Sequence, residues 1–302
     1  MVTVKELDRK EYWLPGHSAC SGCPASLGLR MLGKALKGNF ILVVPACCTT
    51  VIQGAYPHTP SYAPLLNIAF AATAAAASGL KAALELRGIN VPVVAWAGDG
   101  GTVDIGLQSL SGAAERNEDI LYVCYDNEAY QNTGIQRSGA TPYGAWTTTT
   151  PLGKREKRKD APWIVAAHRV PYIATASIAY PLDFIEKIQK AVAKKGFKYI
   201  HLHAPCPTGW RFPPSKTIEV GRLAVETGMW ILYEIEDSVF KLTGRSKPLL
   251  NPLKRKPVEE YLKLQGRFTH LLKPESQEAL KLLKLQIEES WSEINKLVRS
   301  QL

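Results

Sequence analysis

The residues with the clearest chemical potential are four cysteines in three short segments. Cys20 and Cys23 form a C-x-x-C pair followed by proline, which places two thiols on one tight turn, as consecutive metal ligands require. Cys48 and Cys206 each follow an apolar run of the kind that forms a buried strand. Together they could complete one four-thiolate site for zinc or an iron–sulfur cluster, and spacing alone does not separate these metals. A redox C-x-x-C pair or inert core thiols are the alternatives, and Cys124 is expected to be a buried strand residue.

A second group of residues could bind a diphosphate and its metal ion. The sequence GDGG at 98–101 follows one apolar run, and Asp126 and Asn127 follow the next run along the chain. Glycine amides can approach an anion closely, and the start of the following helix favours negative charge. Asp99 and Asn127 offer oxygen ligands of the kind that hold Mg²⁺ beside phosphates. The pattern indicates a Mg²⁺–diphosphate site, and a tight turn with a capping aspartate is the simpler alternative.

A parallel sheet would bring both groups of residues together. Continuous apolar runs predict strands that are buried on both faces, as in an α/β protein with a largely parallel sheet. Ligands bind such sheets at the carboxyl ends of the strands, which is where both groups fall. The segment 134–162 is rich in Gly, Thr and Pro and predicts a long ordered loop over the site. The predicted strands are 40–46, 91–97, 120–125, 172–176, 197–203 and 229–235, and the predicted helices are 64–87, 103–116, 181–195, 218–227, 257–265 and 275–301.

The composition excludes several classes of protein. The chain has 302 residues, of which 46% are hydrophobic and 21% are charged, as in ordinary globular proteins. The most apolar segment, 68–86, carries Lys81 and Glu85 and indicates a buried helix rather than a membrane span. No secretory signal is visible, so we expect a soluble cytoplasmic protein without a membrane or nucleic-acid partner. Part of the net charge of +10 lies in the KREKRK run at 154–159, which we interpret as a solvated loop.

The two groups of residues occur together in one known family. The segment 98–154 and the four-cysteine pattern resemble the β subunits of pyruvate:ferredoxin oxidoreductase and related 2-oxoacid:ferredoxin oxidoreductases. In particular, GDG followed one βα unit later by an asparagine-containing turn resembles the thiamine-diphosphate signature. The resemblance extends from about Pro15 to Trp210, and weakly to Leu262. Because it rests on two independent sets of motifs, it is specific.

The resemblance implies the fold and the division of the chain. It predicts a thiamine-diphosphate-binding fold, with a mostly parallel sheet and helices on both faces. We expect this α/β domain, with its cluster cysteines, at 1–245. A C-terminal helical extension is expected at 246–302.

The resemblance also assigns roles to individual residues. Cys47 is set aside because the family's spacing selects its neighbour. The implied ligands of a [4Fe–4S] cluster are Cys20, Cys23, Cys48 and Cys206. The implied Mg²⁺ ligands are the side chains of Asp99 and Asn127 and the carbonyl of Ala129. The implied diphosphate cradle is Gly98, Gly100 and Gly101. Asn132, expected to be catalytic, and Thr133 match positions close to the diphosphate and the reacting centre.

The implied reaction is the thiamine-dependent oxidative decarboxylation of a 2-oxoacid. Electrons would pass through the cluster to ferredoxin, and coenzyme A would usually accept the acyl group. The glutamate that activates thiamine would come from a partner α subunit, and γ- and δ-type subunits are further expected partners. A basic surface suits a small acidic ferredoxin.

The chain departs from pyruvate-type β subunits where the substrate is expected. A tryptophan-rich stretch and a glutamate are replaced by the sequence PSYAPL at 60–65 and by Ala69, Phe70, Ala71 and Ala72. The resemblance implies a pyruvate-like substrate, whereas this departure favours the alternatives, a branched 2-oxoacid or oxalate; oxalate would need no coenzyme A. The remaining alternatives are a non-oxidative thiamine decarboxylase and a zinc-stapled subunit without catalysis.

Overall fold

The computed structural model describes residues 2–55 and 57–300. Within them, the strands are β1 (Ile41–Pro45), β2 (Leu65–Ile68), β3 (Val93–Gly98), β4 (Leu121–Asp126), β5 (Tyr172–Ser177), β6 (Lys198–His203), β7 (Tyr233–Glu236) and β8 (Val239–Leu242). They form one sheet in the order β2-β1-β3-β4-β6-β5-β7-β8. Strands β1 to β6 pair in parallel, and β7 and β8 are antiparallel additions at one edge. The predicted α/β fold with a mostly parallel sheet is therefore confirmed.

Helices cover both faces of the sheet, and this explains the continuous apolar strands. Every residue of β3, β4, β5 and β6 is buried. Apolar side chains of α1 and α6 pack on one face, and those of α3, α4, α8 and α10 belong to the cluster on the other. The helices are α1 (Pro24–Leu36), α2 (Cys48–Ile52), α3 (Thr73–Leu86), α4 (Leu107–Glu115), α5 (Ala161–Ala166), α6 (Pro181–Val192), α7 (Pro207–Trp210), α8 (Thr217–Glu226), α9 (Val258–Lys263) and α10 (Gln277–Arg299).

Two predicted elements differ from the structure. The helix expected at 64–87 begins only at Thr73, because Leu65–Ile68 forms the edge strand β2 beside β1. The strand expected at 229–235 begins at Tyr233 and continues into a hairpin with β8. Asp237 and Ser238 form the turn with φ of 48° and 70°, which is the backbone geometry of a two-residue hairpin. The remaining predicted strands and helices are present with small shifts at their ends, and residue 301 lies outside the described residues.

The sheet brings the predicted site residues to one edge. Strands β1, β3, β4 and β6 are consecutive neighbours and run in the same direction. Their carboxyl ends lead into Cys48, the GDGG turn, Asn127 and Cys206 respectively. Hydrogen bonds tie the C-x-x-C segment to neighbouring helices: Ser18 N–H donates to the Ile52 carbonyl in α2 over 3.1 Å, and Thr217 Oγ1 in α8 donates to the Gly22 carbonyl over 2.9 Å.

The C-terminal segment packs against the body of the protein. Apolar side chains of α9 and α10, such as Tyr261 and Trp291, belong to the same hydrophobic cluster as one face of the sheet. The division at residues 245 and 246 stays a prediction. Among the described helices, none is both long and apolar enough to cross a membrane.

Candidate functional site

The four predicted cysteines, which we call the cysteine group, lie at the starts of helices or next to one. Cys23 precedes α1, Cys48 is the first residue of α2, and Cys206 precedes α7. Cys20 is exposed, whereas the other three members are half-buried. Backbone N–H groups reach the sulfurs, since Gly209 N–H donates to Cys206 Sγ over 3.5 Å. Cys124 is fully buried in β4, as the sequence predicted.

The cysteines lie close enough together to raise one another's pKa values. Burial raises the pKa of Cys48, and the neighbouring Cys47, Cys206, Cys23 and Asp99 raise it further. Burial also raises the pKa of Cys206 to about 11, with smaller contributions from Cys23 and Cys20. The structure therefore brings the predicted cysteines together, and it brings them close to Asp99.

Four thiolates could hold either a zinc ion or an iron–sulfur cluster. Among residues 2–55 and 57–300, no three His, Cys, Asp or Glu side chains are arranged to hold one ion. A tetrahedral zinc site draws its four thiolates to within about 2.3 Å of one centre. A [4Fe–4S] cluster binds each thiolate to a different iron and so accepts a wider group. Zinc and a cluster therefore demand different separations of the four sulfurs.

The predicted Mg²⁺ ligands lie on adjacent strands. Gly98 is paired with Tyr125 at the ends of β3 and β4, so Asp99 and Asn127 follow neighbouring positions at the sheet edge. Asp99, Asn127 and Ala129 are 1%, 7% and 5% exposed, which makes all three a buried set of oxygen donors. The Asn127 carbonyl accepts hydrogen bonds from Gln131 Nε2 and Trp210 Nε1, both at 2.8 Å. These bonds fix the backbone at the predicted ligand.

The GDGG turn is closely covered by aromatic rings. A Cβ atom added at Gly100 would lie 2.3 Å from Tyr130 Cε1, so only glycine fits there. Tyr130 is held by its hydroxyl, which donates to Asp104 Oδ2 over 2.9 Å. Gly100–Asp104 forms one turn of π-helix, a rare feature that is frequent at functional sites. Asp104 also accepts from Gly139 N–H over 2.8 Å and therefore ties the long loop to this turn.

Two buried aspartates at the sheet edge influence each other. Burial and the nearby Asp126 raise the pKa of Asp99 well above its usual range. Burial also acts to raise the pKa of Asp126, but a hydrogen bond with His201 and the charges of His201 and Arg158 outweigh it, so this pKa is lowered. His201 Nε2 lies 2.8 Å from Asp126 Oδ2. A cation bound at Asp99 would offset the cost of this buried negative charge.

Residues 126–129, which we call the acidic turn, are fixed by two arginines. Glu128 is 2% exposed and has a φ of 61°, in the left-handed region. Its carboxylate pairs with Arg267 over 2.7 Å and with Arg158 over 3.3 Å. Burial raises the pKa of Glu128, although the charges of Arg267 and Arg158 oppose this effect. The predicted ligands Asn127 and Ala129 flank this clamped residue.

Comparison with known proteins gives the family. A family model described as thiamine pyrophosphate enzyme, C-terminal TPP binding domain, matches residues 47–202. Pyruvate synthase subunit PorB from Methanothermobacter marburgensis is 56% identical over 272 residues, covering 88% of this chain and 92% of the relative. Ketoisovalerate oxidoreductase subunit VorB from Pyrococcus abyssi is 52% identical over 300 residues, covering 95% and 94%. This chain belongs to the β subunits of the thiamine-dependent 2-oxoacid:ferredoxin oxidoreductases.

A solved structure agrees with this fold. The 2-oxoglutarate:ferredoxin oxidoreductase from Magnetococcus marinus superimposes with a TM-score of 0.58, at 21% identity, over 72% of this chain and 82% of that chain. At this identity, the likeness concerns the fold. The family consists of oxidoreductase subunits, which counts against the alternatives of a non-oxidative decarboxylase and a subunit without catalysis.

Other predicted residues of this β subunit lie further from the buried turns. Asn132 and Thr133 are exposed on the loop that follows β4, and Thr133 Oγ1 donates to Gln136 Oε1 over 2.6 Å. Their predicted roles near the diphosphate and the reacting centre stay predictions. His17 lies beside the C-x-x-C pair, and its Nε2 is 3.0 Å from Ser26 Oγ.

The solvated-loop interpretation of the KREKRK run is wrong for Lys154 and Arg158. Lys154 is 2% exposed, and its Nζ donates to the carbonyls of Gly139 and Thr141 over 3.2 and 2.6 Å. Arg158 turns inward because Asp126 and Glu128 provide buried negative charge. The other residues of the run are exposed.

Sequence reasoning missed the residues that support the acidic turn. Asp126 and Glu128 flank Asn127 at the end of a buried strand, and two acids at such a place could have indicated a need for basic partners. Arg158 was visible as part of a basic run. Arg267 gave no signal, because it lies far along the chain and beyond the residues that carry the resemblance.

Proposed function

We propose that this β subunit binds thiamine diphosphate and Mg²⁺ at the GDGG and acidic turns, and a [4Fe–4S] cluster at the cysteine group. The observation that carries the proposal is that both sites lie at one edge of the sheet, where the neighbouring strands β1 and β3 lead into Cys48 and the GDGG turn. The rise in the pKa of Cys48 that Asp99 contributes to agrees with this. A cofactor that releases electrons and a cluster that accepts them need to be close neighbours. The shared edge of β1, β3, β4 and β6 supports this arrangement.

The donor set supports the Mg²⁺ assignment. Asp99 supplies a carboxylate, Asn127 a side-chain amide oxygen and Ala129 a backbone carbonyl, and oxygen donors of this kind suit Mg²⁺ beside phosphates. The glycines at 98, 100 and 101 would let backbone amides approach the diphosphate. Thiamine diphosphate, when bound, supplies the electron sink for decarboxylation. The proposal assigns Asn132 and Thr133 to positions close to the diphosphate and the reacting centre, with Asn132 as the catalytic residue.

The cysteine group would set the properties of the cluster. Cys23, Cys48 and Cys206 are half-buried, and N–H groups point at sulfur, as at Cys206. Hydrogen bonds to sulfur and partial burial are the means by which a protein tunes the potential of such a cluster. A [4Fe–4S] cluster, when bound, supplies one-electron steps between the cofactor and an external acceptor.

We propose a 2-oxoacid with an apolar side chain as the substrate. One relative is described as a pyruvate synthase subunit and another as a ketoisovalerate oxidoreductase subunit, and both acids named there have apolar side chains. Phe70 lies close to the GDGG turn, since a Cβ added at Gly101 would be 3.0 Å from its ring. The segment 69–72 carries no charge. Oxalate would require a site for a second carboxylate. A dianionic acid is therefore compared with pyruvate in the test.

The substitution Ala71→Glu probes the substrate directly. A new carboxylate beside Phe70 would repel a second substrate carboxylate, so turnover of a dianionic acid should fall several-fold relative to pyruvate. The measurement is the ratio of kcat/KM values for the two acids, and Ala69→Glu, at the exposed residue two positions earlier, is the control for a general charge effect. An unchanged ratio in Ala71→Glu would contradict a location of this segment near the substrate.

The proposal places this chain within a larger complex. An α subunit would supply the glutamate that activates thiamine and the anchors for the substrate carboxylate. Subunits of the γ and δ type and ferredoxin complete the expected set, and coenzyme A would accept the acyl group. The net charge of +10 supports an acidic electron acceptor.

The test is a binding measurement on the complex stripped of its cofactor. Thiamine diphosphate should quench tryptophan fluorescence in the wild type only when Mg²⁺ is present. Asn127→Ala should weaken this binding at least about tenfold, as expected for loss of a metal ligand. Asn117→Ala, in the connection between α4 and β4 and at the opposite end of β4 from the site, should bind as wild type does. Binding that ignores both Mg²⁺ and Asn127 would refute the assignment.

A further inference from the structure

An arginine from the C-terminal segment reaches the acidic turn. Arg267 lies between α9 and α10 and is 2% exposed. Its guanidinium pairs with Glu128 Oε2 over 2.7 Å. The motifs that carry the sequence resemblance end before this residue and assign no role to it.

Several neighbouring side chains hold the guanidinium of Arg267 in place. Its Nε donates to Gln265 Oε1 over 2.9 Å, and its Nη2 donates to the Tyr261 hydroxyl over 3.2 Å. The guanidinium lies 3.5 Å from the centre of the Trp210 ring. The indole of Trp210 in turn donates to the Asn127 carbonyl over 2.8 Å. Arg267 therefore acts on the acidic turn twice, through Glu128 and through Trp210.

Glu128 needs such support because of its backbone conformation. A φ of 61° is uncommon for residues other than glycine, asparagine and aspartate. Thr141 Oγ1 donates to the Glu128 carbonyl over 2.6 Å, and Glu128 N–H donates to Asp126 Oδ1 over 2.9 Å. The ion pair between the Arg267 guanidinium and the Glu128 carboxylate restrains the side chain as well. The residues on either side of Glu128 are Asn127 and Ala129, so the backbone conformation of Glu128 determines how these two residues are oriented relative to each other.

We infer that Arg267 is a positioning residue for the cofactor's cation. It holds Glu128 in the left-handed conformation, so that the Asn127 side chain and the Ala129 carbonyl face one Mg²⁺ ion. The C-terminal segment thereby becomes part of the cofactor site without contacting the cofactor. The inference rests on the proposed function for its assignment of these two ligands.

The test is the Mg²⁺ dependence of thiamine diphosphate binding in Arg267→Gln, measured by fluorescence quenching of the complex. We expect the Mg²⁺ concentration for half-maximal binding to rise about tenfold, within the range seen when groups behind metal ligands are changed. The matched control is Arg255→Gln. Arg255 also belongs to the C-terminal segment, pairs with Glu288 over 2.9 Å and lies over Trp291, but it does not contact the acidic turn.

A rescue experiment separates positioning from a purely structural role. Arg267→Gln leaves Glu128 with less compensation for its charge, and both Glu128→Gln and Glu128→Asn remove that charge. Asparagine adopts the left-handed region far more readily than glutamine does. The double variant with Glu128→Asn should therefore recover Mg²⁺ affinity, whereas the double variant with Glu128→Gln should recover only thermal stability.

The outcomes distinguish this inference from the proposed function. If Arg267→Gln and Arg255→Gln bind Mg²⁺ and thiamine diphosphate alike, Arg267 is not a positioning residue, and the Mg²⁺ assignment still stands on Asn127→Ala. If both double variants recover equal affinity, the backbone explanation is overturned. If Asn127→Ala has no effect, the proposed function fails first.

Discussion

The cysteine group and the acidic turn lie at the same edge of the sheet but are built differently. Three of the four cysteines sit at the starts of helices, and the same three are half-buried. The acidic turn is buried and depends on side chains from distant segments, namely His201, Arg158 and Arg267. One site is positioned by local backbone, and the other by long-range charge pairs.

This difference has consequences for how each site responds to change. Loss of a cysteine removes a ligand but leaves the surrounding backbone in place. Loss of a partner at the acidic turn leaves a buried charge without compensation, which destabilises the fold as well as the site. Variants of the first site should therefore affect activity before stability, and variants of the second should affect both.

The largest expected effect comes from the cysteine group. Cys48→Ser should remove the cluster and lower the rate of ferredoxin reduction by at least about 100-fold, because a ligand is lost outright. Cys47→Ser is the matched control and should retain iron and most of the activity. Iron content and ferredoxin reduction of the complex are the measurements. If Cys47→Ser loses iron and Cys48→Ser retains it, Cys47 is the ligand and the assignment of Cys48 is wrong.

A large loss of stability is expected at the acidic turn. Arg158→Gln removes a cation from Asp126 and Glu128, and we expect the free energy of unfolding to fall by about 3 kcal/mol. Lys157→Gln, the adjacent residue, breaks only an exposed pair with Glu289 and should change little. Urea denaturation, monitored by tryptophan fluorescence, gives the free energy of unfolding of both variants. Equal losses in the two variants would contradict a special role of the buried pairs.

Acidification should weaken the same region through His203. Burial lowers the pKa of His203 to about 3, whereas the unfolded chain takes up this proton near pH 6.5. The unfolded chain therefore binds more protons below pH 6.5, and this group should lower the free energy of unfolding by about 2 kcal/mol at pH 5. His203→Phe should remove this part of the pH dependence, and replacement of the exposed His58 should not. The same slope in His203→Phe would show that other groups cause it.

The smallest expected effect concerns the surface rather than either site. If the net charge of +10 guides an acidic ferredoxin, the rate of its reduction should fall several-fold between low and high salt. Pyruvate oxidation with a neutral artificial acceptor is the control and should depend little on salt. Salt-independent reduction of ferredoxin would exclude electrostatic guidance.

The two sites also differ in how far the sequence predicted them. The strands and the cysteine group were predictable, because continuous apolar runs and C-x-x-C spacing are local signals. The edge strand β2 was missed because Leu65–Ile68 runs directly into an alanine-rich helical pattern. Arg158 and Arg267 could not be placed, because their burial depends on Asp126 and Glu128, which approach them only in the folded chain. Charge pairs of this kind have no fixed spacing along a sequence.

One measurement tests the central claim that the two sites form a single path for electrons. The native complex is purified without oxygen, its iron and zinc are measured, and its absorbance near 400 nm is followed as single 2-oxoacids are added. The account predicts about four more iron atoms per chain in the wild type than in Cys48→Ser, and bleaching by pyruvate or a branched 2-oxoacid that Asn127→Ala lacks. Zinc in place of this iron, with no bleaching by any acid, would contradict it.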